Sequence, residues 1–122
     1  MIDFNCIGNE FGTGSILSVE EKDDLWDDGT VGFQLTIPDG MTSTVLTLLQ
    51  VSELIEYLES KDYDNLLNYT YTGNGSSSEF SISAFQDETY ICIYNELNGK
   101  LVSGMLTPAC INLLVSHLES LL

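Results

Sequence analysis

The densest group of chemically active side chains in the sequence is an acidic segment, residues 20–28. It reads Glu-Glu-Lys-Asp-Asp-Leu-Trp-Asp-Asp and surrounds the only tryptophan of the chain with six carboxylates. Carboxylates in this density suit either a hard cation such as Ca²⁺ or the basic surface of a partner protein. A tryptophan within such a ring of charge is typical of an anchor at a protein interface. We therefore predict that the partner-binding residues of this segment are Glu20, Glu21, Asp23, Asp24, Trp26, Asp27 and Asp28.

Two other interpretations of the acidic segment stay open. It is also compatible with an ordinary solvated loop whose tryptophan folds back onto the core. A calcium loop is disfavoured, because the acids come in adjacent pairs and the residue six positions after Gly29 is Leu35 rather than the glutamate of an EF-hand. We predict no metal site.

A second row of carboxylates recurs at three-residue spacing in the first predicted helix, at Glu53, Glu56 and Glu59. Side chains three positions apart on a helix are neighbours, about 5–6 Å apart, and like charges there are mildly destabilising. No lysine lies four residues later to relieve them. A rigid row of carboxylates resembles the charge pattern of a nucleic-acid backbone, so these three residues join the predicted partner-binding set. The alternative is an ordinary polar helix face.

The residues needed for catalysis are scarce. The chain has one histidine, His117, and no arginine. Cys110 lies seven residues before His117, but no third group is evident to orient such a pair. We predict no catalytic residue, no enzyme activity and no cofactor. The three cysteines form no CxxC motif and no secretory leader is evident. These features favour a reduced, cytoplasmic protein, of a bacterium or of a phage-infected cell.

The net charge limits the choice of partner. Nineteen acidic residues against three lysines give the 122-residue chain a net charge of −16. Affinity for nucleic-acid phosphates and for anionic membranes comes from lysine and arginine, so neither is an expected partner. A basic or an uncharged partner remains.

An internal repeat indicates which elements position these residues. Shifting the chain by 60 positions aligns residues 43–60 with 103–120, and seven of the eighteen positions are identical. Thr47 with Gln50 forms a predicted capping box, and Thr107 with Pro108 a second predicted helix start. The apolar stripes of the two helices coincide, with Val51, Leu54, Ile55 and Leu58 matching Ile111, Leu114, Val115 and Leu118. Chance similarity between two amphipathic helices is the alternative.

Alternating apolar residues predict strands ahead of each helix. The segment 89–95 is apolar on both faces, which predicts a central strand, and Asn98-Gly99 predicts a hairpin turn before the strand at 100–106. The segment 67–72 fits either a strand or a helical turn. The fold class predicted is α+β: a single domain, residues 1–122, with an antiparallel sheet, two amphipathic helices and duplicated halves of approximately 1–60 and 61–122. The predicted strands are 2–7, 15–19, 33–37, 42–46, 80–85, 89–95 and 100–106.

In size and charge the chain resembles phage anti-CRISPR and anti-restriction proteins and bacterial immunity proteins. The resemblance implies a non-enzymatic inhibitor that mimics nucleic acid and binds a basic protein, such as a nuclease or a nucleic-acid-binding complex. Two other functions stay open: a small-molecule-binding homo-oligomer with a pocket at the repeat interface, and a structural or assembly protein. The tyrosines that could line such a pocket are Tyr57, Tyr69, Tyr71, Tyr90 and Tyr94. A homodimer through an exposed sheet face or the apolar C-terminus is a further expectation.

Overall fold

The computed structural model describes residues 2–6, 14–20, 30–38, 40–60, 66–73, 76–85 and 88–122. Within these described residues, each half of the chain has four strands followed by one helix. The first half contains β1 (Ile2–Cys6), β2 (Ser15–Val19), β3 (Thr30–Ile37), β4 (Gly40–Thr47) and α1 (Leu48–Ser60). The second half contains β5 (Leu67–Gly73), β6 (Ser76–Phe85), β7 (Glu88–Asn95), β8 (Lys100–Leu106) and α2 (Pro108–Leu121).

The strands form two antiparallel sheets, in the orders β1-β2-β3-β4 and β5-β6-β7-β8. The α+β class is confirmed, but the expectation of one sheet was wrong. Each strand pairs with its sequence neighbours, and α1 interrupts the series between β4 and β5. The apolar faces then pack against each other: the rings of Phe33 and Phe80, one from each sheet, lie 5.4 Å apart between centroids.

One hydrophobic cluster contains residues of both sheets and both helices. The helices contact each other, and each also contacts the first strand of the other half, α1 with β5 and α2 with β1. From α1 the cluster receives Val51, Leu54, Ile55 and Leu58. From α2 it receives Cys110, Leu114 and Leu118, while Ile111 and Val115 are half-buried against it.

Local side-chain hydrogen bonds determine where the helices start. The backbone N–H of Thr47 donates to Oε1 of Gln50 at 2.9 Å, and the N–H of Gln50 donates to Oγ1 of Thr47 at 3.2 Å. This reciprocal pair is the predicted capping box. The Oγ1 of Thr107 accepts from the N–H of Cys110 at 3.1 Å, with Pro108 in the first turn. Both predicted helix starts are confirmed.

The second sheet resolves two predictions. The ambiguous segment 67–72 is strand β5. The Asn98-Gly99 hairpin is confirmed, since Gly99 has φ +66° in the turn between β7 and β8.

Strand β7 lies inside its sheet as expected, but it is not buried on both faces: Ile91 is buried, whereas Tyr90 is 38% exposed. The outer face of this sheet has no layer packed on it within the described residues.

No helix within the described part of the chain is long and apolar enough to cross a membrane.

Candidate acidic interface and cleft

Helix α1 places the three predicted carboxylates on its exposed side. Glu53, Glu56 and Glu59 are all exposed, while the buried stripe of the same helix faces the core. The helix has no basic residue in its last turn, so nothing within that turn compensates Glu59. The sequence therefore identified a real row of exposed carboxylates.

A fourth carboxylate, Glu119 of α2, joins this row. Its side chain shares a hydrogen bond with Glu59, and this bond, followed by desolvation and the charge of Glu119, raises the pKa of Glu59 above its ordinary value of 4.5. Glu119 was absent from the predicted site, although the repeat had already aligned it with Glu59. We refer to Glu59 and Glu119 as the helix-end pair.

The helix-end pair lies where backbone charge is also negative. Glu59 is in the last turn of α1 and Glu119 in the last turn of α2, and neither helix has a basic residue there. The C-terminal end of a helix carries the equivalent of roughly −0.5 elementary charge, which disfavours carboxylates and favours lysine or arginine. Two helix ends and two carboxylates thus create one concentrated region of negative potential.

Glu53 is held by the second half of the molecule. The Tyr69 hydroxyl, on β5, donates to Oε2 of Glu53 at 2.7 Å. Partial burial, and then the hydrogen bond and charge of Glu53, raise the pKa of Tyr69 well above its ordinary value. The hydroxyl therefore stays protonated and keeps donating. This contact limits the freedom of one member of the α1 row.

Of the acidic segment, the structure describes Glu20 alone. Its backbone N–H donates to the carbonyl of Gly32 at 2.9 Å, and its exposed side chain lies over Gly32. The segment's remaining predicted residues, and with them the calcium alternative, lie outside the described residues: Glu21, Asp23, Asp24, Trp26, Asp27 and Asp28. Whether they adjoin the α1 row stays a prediction.

Glu20 belongs to a cleft of about 360 Å³ that is lined by no residue of α1 or α2. The cleft lining therefore includes Glu20 but none of the predicted glutamates of α1. One wall of the cleft comes from β3 and β4, and the other from the facing ends of β5, β6 and β7 and the turn after β7. The lining residues are Glu20, Gly32, Phe33, Gln34, Ser43, Thr44, Val45, Tyr71, Ser76, Ser77, Ser78, Asn95 and Leu97.

Hydrogen bonds hold the walls of this cleft together. The hydroxyls of Thr44 and Ser78, both buried, lie 2.6 Å apart and join β4 to β6. The amide of Asn95 donates to the Ser43 carbonyl at 2.9 Å, and its Oδ1 accepts from the N–H of Leu97 at 2.9 Å. The two walls come from different sheets, yet these bonds fix their separation.

Of the residues considered for catalysis, Cys110 lies in the core and His117 is half-buried. Cys110 is buried. The His117 ring lies 6.2 Å from the ring of Phe4, between centroids, and its Nε2 is buried without a hydrogen-bond partner in the described structure. His117 therefore packs on β1 through its ring. Among the described residues, no three His, Cys, Asp or Glu side chains are grouped to hold a metal ion.

Comparison of the sequence with protein-family models and with curated proteins finds no match.

Proposed function

We propose that this protein is a non-enzymatic inhibitor that binds the basic, nucleic-acid-binding surface of a partner protein. The observation that carries the proposal is the helix-end pair, Glu59 with Glu119. Mutual repulsion and two helix C-termini both act against carboxylates at this position. A group that opposes folding is often retained for function, and a cationic surface is the ligand that would relieve this repulsion.

Charge supports the class of partner. With a net charge of −16, the protein attracts basic surfaces over distances set by the ionic strength. Basic grooves that accept nucleic acid, in nucleases or nucleic-acid-binding complexes, present the complementary charge. The exposed row of Glu53, Glu56 and Glu59 would occupy the place of phosphates. We propose the cytoplasm of a bacterium or of a phage-infected cell as the location where such an inhibitor meets its target.

The proposal includes an internal duplication within one domain, residues 1–122. The two halves have the same order of elements, four strands and a helix, and the helices end in Glu59 and Glu119, which the repeat aligns. Duplication would explain why two like charges meet: a residue near an approximate two-fold axis faces its own counterpart. Support for this comes from the sequence repeat together with the element order.

The experiment is a binding measurement with a charge-matched control. Immobilised protein is exposed to a bacterial lysate and the captured basic proteins are identified, and their affinity is measured by calorimetry from about 50 to about 500 mM salt. Glu59→Gln combined with Glu119→Gln removes two charges at the helix ends. Glu79→Gln combined with Glu96→Gln removes two exposed charges elsewhere.

We expect salt-sensitive capture that the helix-end double variant weakens by at least about tenfold, or roughly 1.4 kcal/mol. The control pair should change affinity by less than about threefold. Equal loss from both pairs would mean that bulk charge alone acts. Capture of no basic protein at low salt would contradict the proposal.

A second candidate function is the binding of a small molecule, favoured by the cleft between the two sheets. Its volume of about 360 Å³ lies within the range of ligand pockets, and Tyr71 lines it, as the pocket hypothesis expected for one of its tyrosines. Tyr57, Tyr69, Tyr90 and Tyr94 do not line it. Melting temperatures measured with a library of neutral metabolites test this function. A ligand that raises the melting temperature and protects the backbone amides of the cleft residues from hydrogen exchange would support it.

A further inference from the structure

The described lining of the cleft contains one acidic residue, the exposed Glu20. Among the described lining residues there is no lysine, arginine or histidine to compensate this carboxylate. A ligand that carries negative charge would meet both Glu20 and the field of a chain with net charge −16. Anionic ligands are thereby disfavoured, and a cationic group is the occupant that the electrostatics select.

Gly32 determines where the Glu20 carboxylate lies. A Cβ atom at position 32 would approach Oε2 of Glu20 to 2.7 Å and its Cδ to 3.0 Å. The side chain of Glu20 therefore occupies space that only glycine leaves open, and the backbone hydrogen bond from Glu20 to Gly32 keeps the two residues aligned. The carboxylate is thus placed against the strand instead of extending freely into solvent.

The rest of the lining suits a donor-rich group. Ser43 and Ser77 line the cleft, and their hydroxyl oxygens can accept hydrogen bonds. Tyr71 is 44% exposed at the cleft, and the face of an aromatic ring attracts guanidinium groups. An arginine side chain has five N–H donors in a plane, no acceptor and a permanent charge, so it matches a carboxylate, hydroxyls and an aromatic ring together.

We propose that this cleft receives an arginine side chain from the basic partner. The proposal rests on the proposed function, since the partner supplies the arginine. The cleft would then act as a specific contact that supplements the long-range attraction of the α1 row. Attraction between extended charges mainly raises the association rate, whereas a filled pocket slows dissociation.

The test uses N-acetyl-arginine amide as the probe, because it carries one guanidinium without the rest of a protein. Its matched control is N-acetyl-citrulline amide, which has the same shape with no charge. Each is titrated into the protein while backbone and side-chain amide resonances are recorded. We expect the arginine probe to bind with a dissociation constant on the order of millimolar, as for small isolated groups. The shifted resonances should be those of Gly32, Asn95 and Leu97.

Variants identify the carboxylate involved. Glu20→Gln should weaken the arginine probe at least about tenfold, whereas Glu79→Gln, an equal charge change on an exposed residue outside the cleft, should not. Gly32→Ala should also weaken the probe by displacing Glu20, with circular dichroism to check folding. Tyr71→Leu is a second variant: it leaves the β3 wall unchanged but removes the aromatic ring, and it should also weaken binding of the arginine probe.

Equal binding of the citrulline probe would overturn the proposal in favour of a neutral ligand, and so would shifts confined to residues outside the cleft. If the partner protein still binds while the arginine probe leaves the cleft resonances unchanged, the inference fails and the proposed function stands. If the arginine probe occupies the cleft and no basic protein is captured, the cation site is upheld and the proposed function fails.

Discussion

The carboxyl groups of Glu59 and Glu119 lie close enough for Glu119 to raise the pKa of Glu59, although sixty positions separate them in the chain. Each lies twelve residues after the threonine that caps its helix, Thr47 or Thr107. Equivalent positions of two similar helices therefore meet, and they meet with like charge. This contact connects the fold to the proposed function, because it concentrates negative charge at the point where the helices end.

The helix-end pair should make stability depend on pH. The pKa of Glu59 is raised in the folded protein above its ordinary value of 4.5, so the folded state binds more protons than the unfolded state in the window above that value. The contribution of this group is therefore fully present below pH 4.5 and is lost as pH rises through the raised pKa. Thermal melts from about pH 4 to about pH 7 should show this decline.

Glu59→Gln should flatten that decline and leave the protein at least as stable as the parent at neutral pH, because one of the two like charges is gone. Glu56→Gln, on the same helix but outside the pair, is the matched control and should retain the parental slope. Identical slopes for the parent and Glu59→Gln would show that the pair does not titrate as described.

The helices should contribute to one core through equivalent leucines. Leu54 and Leu114 are almost fully buried, one in each helix. Leu54→Ala and Leu114→Ala should each lower the free energy of unfolding by about 2–5 kcal/mol, as truncations of buried leucine do. Urea denaturation measures this. Leu49→Ala and Leu113→Ala, at positions 71% and 65% exposed in the same helices, should change it by less than about 0.5 kcal/mol. A neutral result at either buried position would contradict a shared core.

Tyr69 should be the phenol that titrates at unusually high pH. Burial and the carboxylate of Glu53 raise its pKa above its ordinary value of 10.0, so its contribution to stability is present below pH 10.0 and is lost as pH rises through the raised value. A spectrophotometric alkaline titration of Tyr69→Phe should lack one component that titrates at high pH in the parent. Glu53→Gln should bring that component to lower pH, and an unchanged titration in both variants would contradict the contact.

The acidic segment carries a prediction that follows from sequence alone. Replacing Asp23, Asp24, Asp27 and Asp28 by asparagine should leave folding intact and weaken partner binding by several kcal/mol if these charges are desolvated in the complex. Trp26→Ala should cost binding about 2 kcal/mol or more as an interface anchor. The measurement is calorimetry with the captured partner. The control is the set of acids that the sequence places in hairpin turns, Asp39, Asp87 and Glu96, and equal loss from this set would assign the effect to bulk charge.

Features that depend on neighbouring residues were accessible from the sequence. The capping box of Thr47 and Gln50 needs groups three residues apart, and the Asn98-Gly99 turn needs one glycine that tolerates positive φ. The buried stripe of α1 follows from helical periodicity. The segment 67–72 was ambiguous because its pattern is short, and pairing with β6 made it a strand.

Contacts between distant parts of the chain were decided by the tertiary structure. Periodicity shows which face of an element is apolar, but not which other apolar face packs against it. The sequence therefore predicted a single sheet, whereas the structure has two facing sheets with Phe33 against Phe80. The exposure of Tyr90 has the same origin, since burial of a strand's second face needs a further layer. The sequence determined that Glu59 and Glu119 occupy matching positions, whereas only the packing of α1 on α2 decided that they touch. The cleft around Glu20 likewise exists because residues of opposite sheets, Thr44 and Ser78, bond across the core.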